Sequence, residues 1–222
     1  MYQLVIFDWD GTLMDSAAKI STCMREAARE AGLIVPSVEA AKGIIGLGLM
    51  EAASVLYPHA NDTDKRALIE AYRYQFLHAD KTEQQFFVGV EQGLQRLSDL
   101  GVFLAVATGK SRAGLDRALE NSGFGRYFTI TRCADETRSK PHPQMLHEIL
   151  DYTAMDTNKT IMVGDTSFDL DMARAANVDG LGAAYGVHSV DVLQDSGAVA
   201  IKHSFTDLLE WLLDQRVEKA FR

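Results

Sequence analysis

Cysteine, proline and tryptophan are scarce in this chain of 222 residues, which contains two, four and two of them. Two cysteines are too few for a disulfide framework, so Cys23 and Cys133 are expected to be buried as small apolar side chains in a reducing compartment. No apolar run approaches the ~20 residues of a membrane-spanning helix. Only four apolar residues precede Asp8, so no secretory signal peptide is expected. We therefore expect a soluble, cytoplasmic protein with no membrane partner.

Positively charged residues are also few. Lysine and arginine number 22 against 31 aspartates and glutamates, which gives a net charge of −9. Nucleic-acid partners require clustered basic residues, and no such cluster occurs, so no nucleic-acid partner is expected. An acidic protein that binds an anion must gather its few cations locally, and this draws attention to Lys110 and Lys140.

The periodicity of apolar residues divides the chain into two kinds of segment. Helices are predicted over residues 16–31, with Ser16 as N-cap, from Pro36 to Ala41, near 50–57, and from Asp62 or Thr63 to about Ala79. No strand pattern is found between residues 16 and 85. From residue 86 onward, strands and helices alternate, which predicts a parallel sheet covered on both faces. The length fits one large domain that carries a smaller helical insertion.

Two aspartates stand where the first predicted strand, Leu4–Phe7, ends. Asp8 and Asp10 are one residue apart, and Gly11 is free to adopt the positive φ of a sharp turn. Open α/β sheets build their sites at the carboxyl ends of strands. Two acids this close are costly to bury unless a cation or a proton lies between them. The alternative is a strand-end turn in which the aspartates accept hydrogen bonds from backbone amides.

Three further short motifs follow in order. They are Val106-Ala107-Thr108-Gly109-Lys110, Ser139-Lys140-Pro141-His142-Pro143 and Val163-Gly164-Asp165-Thr166-Ser167-Phe168-Asp169. Together with Asp-x-Asp-Gly-Thr-Leu, this set resembles the motifs of the haloacid dehalogenase (HAD) superfamily over essentially the whole chain. The helical insertion resembles the small cap of its phosphoglycolate phosphatase-like branch. The resemblance implies a Rossmann-like α/β core from residues 1–15 and 86–222, with an α-helical cap from 16–85.

The resemblance also implies a Mg²⁺-dependent phosphomonoester hydrolase. Asp8 would be the nucleophile and Asp10 the general acid and base, a second acid that favours phosphoester over carbon–halogen cleavage. One Asp8 oxygen, the Asp10 carbonyl and the Asp165 side chain would bind Mg²⁺, for which oxygen ligands are suited. Asp169 would hold metal-bound water or orient Lys140. For Asp165 and Asp169, helix capping is the alternative.

Substrate recognition is expected from both parts of the molecule. The residues implied to bind substrate are Thr12, Thr108, Gly109 and Lys140 in the core, and Lys42 and Gly46 in the cap. The run Gly43–Leu49 resembles the cap's specificity loop, with Lys42 as the most obvious charged group beside it.

The substrate would be a small phosphorylated metabolite such as phosphoglycolate, bound by a monomer or a weak homodimer. A pyrophosphatase, a sugar phosphomutase and a non-catalytic binding protein on the same fold remain alternatives. The mutase is disfavoured because Ile20 stands where mutases of this branch carry a cap histidine.

Overall fold

The computed structural model describes residues 2–218, whose central element is a six-stranded sheet. All of its paired strands are parallel, in the order β5-β4-β1-β6-β7-β8. These strands are β1 (Leu4–Phe7), β4 (Phe103–Thr108), β5 (Ile130–Cys133), β6 (Thr160–Gly164), β7 (Asp179–Ala183) and β8 (Ala200–Lys202). The two remaining strands, β2 (Met14–Asp15) and β3 (Gln85–Phe86), form a separate antiparallel pair. The predicted parallel α/β core is confirmed.

Helices cover both faces of the six-stranded sheet. Val5 and Phe7 of β1 lie in one apolar cluster, whereas Leu4 and Ile6 lie in another on the opposite face. The helices of this part are α5 (Val90–Asp99), α6 (Arg112–Ser122), α7 (Gln144–Thr153), α8 (Ser167–Ala175), α9 (Val190–Asp195) and α10 (Phe205–Glu218). Two short 3₁₀ turns, Phe124–Tyr127 and Thr157–Lys159, complete it.

The strand order determines where the motifs meet. β1 lies between β4 and β6, with Leu4 opposite Phe103 on one side and Thr160 on the other. The carboxyl ends of these three strands therefore lie side by side. Asp8 follows β1, Thr108 ends β4, and Asp165 follows β6.

The segment between β2 and β3 is helical and has its own apolar cluster. Its helices are α1 (Ala17–Glu30), α2 (Val38–Lys42), α3 (Leu49–Leu56) and α4 (Asp62–Tyr74), and α4 continues into a π-helical turn, Gln75–Ala79. Met24, Ala28 and Leu68 are central to the cluster that joins these helices. We refer to residues 16–85 as the helical segment. Cys23 and Cys133 are both buried free thiols, as expected.

One predicted helix start was wrong and one strand pair was missed, each for an identifiable local reason. The helix predicted from Pro36 begins at Val38, because the Ser37 hydroxyl accepts a hydrogen bond from the Ala40 amide and caps it. The helix predicted to reach about Ala79 does end there, although its last turn, Gln75–Ala79, has π geometry. The β2–β3 pair was missed because two-residue strands give no periodic signal. Within residues 2–218, no helix is both long and apolar enough to cross a bilayer.

Candidate active site

Asp8 is fully buried at the end of the central strand. Its Oδ1 accepts a hydrogen bond from Lys140 Nζ at 2.7 Å. Its Oδ2 is also buried and finds no hydrogen-bond partner among the described residues. Burial raises the pKa of Asp8 to about 7, against the opposing effect of the Lys140 charge. A buried carboxylate oxygen without a partner is rare in proteins and indicates a place where a ligand or ion binds.

Lys140 links two carboxylates, that of Asp8 after β1 and that of Asp169 on α8. Its ammonium is buried and also donates to Asp169 Oδ1, at 2.6 Å. Burial disfavours the charged ammonium, but the charges of Asp169 and Asp8 outweigh this effect and raise the pKa of Lys140. The lysine therefore stays positively charged beside Asp8.

Asp165 is held in a narrow cradle of glycines. A Cβ atom at Gly11 or at Gly186 would lie only 2.2 or 2.3 Å from Asp165 Oδ2. Its two oxygens accept hydrogen bonds from Thr12 Oγ1 at 2.9 Å and from the Val187 amide at 2.8 Å. Burial, together with the charges of Asp8 and Asp169, raises the pKa of Asp165. The cradle fixes the carboxylate in one orientation toward Asp8.

Asp169 has two structural partners at once. Its Oδ2 accepts hydrogen bonds from the Thr166 amide at 3.1 Å and the Thr166 hydroxyl at 2.7 Å, which forms a capping box at the start of α8. Its Oδ1 contacts Lys140. The same side chain therefore takes part in the cap of α8 and contacts Lys140.

Three of these carboxylates form a group with the chemistry of a divalent-cation site. Asp8, Asp165 and Asp169 each offer an oxygen, and the three oxygens lie within 4.8 Å of one another. An all-oxygen donor set is the kind that Mg²⁺ and Ca²⁺ prefer. The unpartnered Asp8 Oδ2 provides a ligand atom that no side chain uses. The residues present therefore fit a hard divalent cation, and the Asp10 carboxylate is not in this group.

Asp10 is instead held from two sides. Lys110 Nζ lies 2.9 and 2.8 Å from its two oxygens, and Ser16 Oγ donates to Oδ1 at 2.7 Å. Ser16 stands at the N-cap position of α1 as predicted, but its hydroxyl serves Asp10 rather than the helix. The role of Lys110 was missed from the sequence, where it was indistinguishable from a solvated residue at the start of a helix.

A cavity of about 220 Å³ lies between this site and the helical segment. Asp8, Asp10, Thr108, Gly109 and Lys110 line it from the core. The loop Gly43–Leu49 closes its opposite side. A Cβ at Gly109 would lie 2.5 Å from the Gly46 carbonyl oxygen, so this approach requires a glycine.

Three residues expected to bind substrate, Thr12, Lys42 and Lys140, do not line this cavity. Thr12 is buried beneath the site and donates to Asp165, so it does not line the cavity. Lys42 is exposed at the end of α2, also outside the cavity. It was chosen because it adjoins the glycine-rich loop in sequence, whereas the helix directs its side chain to solvent. Gly46, Thr108 and Gly109 do line the cavity.

Comparison with known proteins gives a consistent family. Residues 5–183 match the haloacid dehalogenase-like hydrolase family. The probable phosphatase IndB of Dickeya dadantii is 33% identical over 214 residues, which cover 94% of this chain and 93% of that protein. A phosphoglycolate phosphatase of Agrobacterium fabrum is 28% identical over 221 residues, with 97% and 94% covered. The crystal structure of a predicted phosphatase from Clostridium acetobutylicum superposes with a TM-score of 0.86 at 26% identity, covering 96% of this chain and 99% of that one.

The chain therefore belongs to the haloacid dehalogenase-like hydrolase family, in its phosphoglycolate phosphatase-like branch. Its activity is that of a phosphatase, as the sequence motifs predicted.

Proposed function

We propose that the protein is a Mg²⁺-dependent phosphomonoester hydrolase that acts on a small phosphorylated metabolite through a phospho-aspartate on Asp8. The observation that carries the proposal is the unpartnered Oδ2 of Asp8. This oxygen belongs to a side chain that borders a cavity, beside a fixed cation and two further carboxylates.

Asp8 and Asp10 divide the reaction between them. A carboxylate oxygen of Asp8 forms a bond to phosphorus while the bond to the leaving alcohol oxygen breaks. Asp10 lines the same cavity and gives its proton to that oxygen, then takes a proton from the water that hydrolyses the phospho-aspartate. The contacts from Lys110 and Ser16 keep the Asp10 carboxylate aimed into the cavity through both steps.

The remaining charged groups bind Mg²⁺ or neutralise the negative charge of Asp8 and the phosphoryl group. Lys140 compensates the charge of Asp8 and of the incoming phosphoryl group. Asp8, the Asp10 carbonyl and Asp165 are the proposed ligands of Mg²⁺, with Asp169 beside them. When bound, the ion neutralises phosphoryl oxygens during transfer. Thr108 and the Gly109 amide are the proposed donors to the phosphoryl group, because both line the cavity at the end of β4.

We further propose that residues 16–85 act as a cap on a core of residues 1–15 and 86–222. The paired strands β2 and β3 carry the chain out to the helical segment and back. The Gly48 amide donates to Ser139 Oγ at 2.8 Å, directly before Lys140, which holds the loop Gly43–Leu49 against the core. Opening at this contact would admit substrate, and closing would exclude water from Asp8.

The mutase alternative finds no support at the cavity wall. Ile20, at the position where sugar phosphomutases of this branch carry a histidine, lines the cavity with an apolar side chain. An isoleucine cannot move a proton to or from a sugar hydroxyl.

The test is a phosphatase assay over a panel of phosphoesters with and without Mg²⁺, on wild type, Asp8→Asn and Asp10→Asn. Asp8→Asn should lose turnover by orders of magnitude while remaining folded. Asp10→Asn should still form a base-labile phospho-enzyme from acetyl phosphate, whose leaving group needs no proton. Asp15→Asn is the matched control, since Asp15 is exposed in β2. Substantial turnover by Asp8→Asn would exclude the phospho-aspartate.

A further inference from the structure

The wall of the cavity that the helical segment forms carries almost no polar side-chain groups. Its side chains there are apolar or aromatic, with Arg73 as the one charged exception among the described residues. Ile20 and Met24 come from α1, Ile45 and Leu47 from the loop, and Tyr72 and Phe76 from α4 and the π-helical turn. This wall faces the part of a bound ester that lies beyond the phosphoryl group.

The two cations at the cavity are not free to receive an anionic leaving group. Lys110 already contacts both oxygens of Asp10 and lies 4.9 Å from the centre of the Phe76 ring. A substrate carboxylate that bound Lys110 would have to take it from Asp10. Arg73 pairs with Glu70 at 2.5 Å, and 48% of its side chain is exposed at the rim.

The groove beside the cavity offers no net positive charge to attract an anion either. Arg73 also borders this neighbouring groove of about 350 Å³. The groove's two arginines, Arg66 and Arg73, are offset by Glu51, Glu70 and Asp135. No excess of positive charge therefore lies along the described lining of this neighbouring groove.

The free energy of burial against this wall differs between a charged and an apolar leaving group. Placing an ionised carboxylate against apolar side chains without a charge partner is strongly unfavourable. Burying an apolar ring there is favourable, and aromatic rings gain further from contact with Tyr72 and Phe76. An apolar cavity of about 150 Å³ accommodates one benzene molecule. A volume of about 220 Å³ therefore accommodates a phosphoryl group and one ring.

We infer that the substrate is a phosphomonoester whose leaving alcohol carries an uncharged, apolar group about the size of one ring, and that phosphoglycolate is a poor substrate. This inference rests on the phosphatase function proposed above. It assigns specificity to the apolar wall formed by α1, the loop Gly43–Leu49 and the π-helical turn.

The test compares benzyl phosphate with 2-phosphoglycolate in the presence of Mg²⁺. Both esters release a primary alcohol, so their intrinsic reactivity is similar and the ratio of kcat/KM reports on the wall. Benzyl phosphate should be preferred by about tenfold or more, the range that apolar pocket contacts provide. Equal or better turnover of 2-phosphoglycolate would overturn the inference.

Two variants examine the wall itself. Phe76→Ala should lower kcat/KM for benzyl phosphate more than for acetyl phosphate, which does not reach the ring. Leu77→Lys, at a partly exposed position on the wall, should shift the preference toward 2-phosphoglycolate. Ile34→Lys makes a similar change at a site that is 87% exposed and away from the cavity, and should leave the preference unchanged. No shift with Leu77→Lys in a folded protein would count against the inference.

A binding measurement separates this inference from the proposed chemistry. 2-Phenylethylphosphonate and 3-phosphonopropionate mimic the two esters and cannot be hydrolysed. If no ester is turned over but the phenyl compound binds more tightly by calorimetry, the phosphatase mechanism fails and the specificity inference stands. If the carboxylate compound binds as tightly, the inference is wrong regardless of turnover.

Discussion

Replacing Lys140 by methionine keeps the length of the side chain but removes its charge from the centre of the site. In the wild type the ammonium lies 2.7 Å from Asp8 and 2.6 Å from Asp169, with no exposed surface on the lysine side chain. The variant leaves two buried carboxylates facing each other, with Asp165 close by. Breaking a buried ion pair in this way costs about 3–5 kcal/mol. That is a large part of the total stability of about 5–15 kcal/mol typical of a folded domain.

The measurement is urea unfolding of wild type and Lys140→Met in chelator. We expect a lower midpoint with an unchanged m-value, since the loss arises in the folded state. The deficit should shrink as the pH falls from about 8 to about 5, because the uncompensated carboxylates can then become neutral by taking up protons. Lost packing would show no such dependence. Lys42→Met is the matched control at an exposed lysine, with an expected change within about 0.5 kcal/mol.

A double-mutant cycle tests whether Lys140 and Asp169 stabilise each other. Asp169→Asn removes one of the two carboxylates that Lys140 contacts. Combined with Lys140→Met, it should cost less than the sum of the two single losses, by about 0.5–3 kcal/mol. Additive losses, or a Lys140→Met deficit below about 1 kcal/mol at neutral pH, would refute the reasoning that these charges depend on one another.

Further predictions concern the metal, a histidine and a glycine. Excess EDTA should abolish turnover and Mg²⁺ should restore it. Ca²⁺ should inhibit, because it prefers more ligands at longer distances around Asp165 than Mg²⁺ does. Full activity in chelator would exclude the metal role. Burial lowers the pKa of His188, whose Nδ1 accepts a hydrogen bond from the Ser167 amide. As the pH is lowered, the unfolded state therefore takes up this proton first, and the contribution of His188 to stability decreases at pH values below about 6.5. His188→Asn should remove that part of the pH dependence in unfolding experiments. Gly186→Ala should raise the Mg²⁺ concentration needed for half-maximal activity at least about tenfold, because the added Cβ meets Asp165 at 2.3 Å. Gly125→Ala, where the nearest atom is 3.9 Å away, is its control.

The proposed phosphate-binding half of the site could be predicted in part because some of its residues are locally constrained. A carboxylate after a buried strand, followed by a glycine that must adopt φ of +88°, is an unusual local pattern. Several such patterns at the ends of parallel strands must meet at one edge of a sheet. The strand-end pattern pointed to Asp8, and the resemblance of the ordered motifs pointed to Asp165 and Lys140, without any knowledge of distances. Their exact partners were not found, since Thr12 and Val187 approach Asp165 from distant parts of the chain.

Residues that act through another side chain left no comparable signal. Lys110 is separated from Asp10 by 100 residues, and their pairing depends on the approach of β4 to β1. Ser16 precedes a helix, so its hydroxyl was assigned to capping, the commonest role of serine at that position. Its bond to Asp10 shows that a tertiary partner can displace a local one when both lie within reach.

The leaving-group half of the site was hidden for a different reason. Ile20 and Met24 recur at helical spacing on α1, and this is the pattern of any helix that packs on a core. Met24 indeed belongs to the apolar cluster of the helical segment and lines the cavity as well. A sequence cannot distinguish an apolar face that meets another helix from one that meets a ligand. Sequence reasoning selected the loop Gly43–Leu49, which does line the cavity, and Lys42 beside it as the charged group, whereas Ile20 and Met24 of α1 were not considered as part of the wall. Specificity for an apolar leaving group is the kind of function that motif analysis overlooks, because the residues that provide it are those that any folded helix requires.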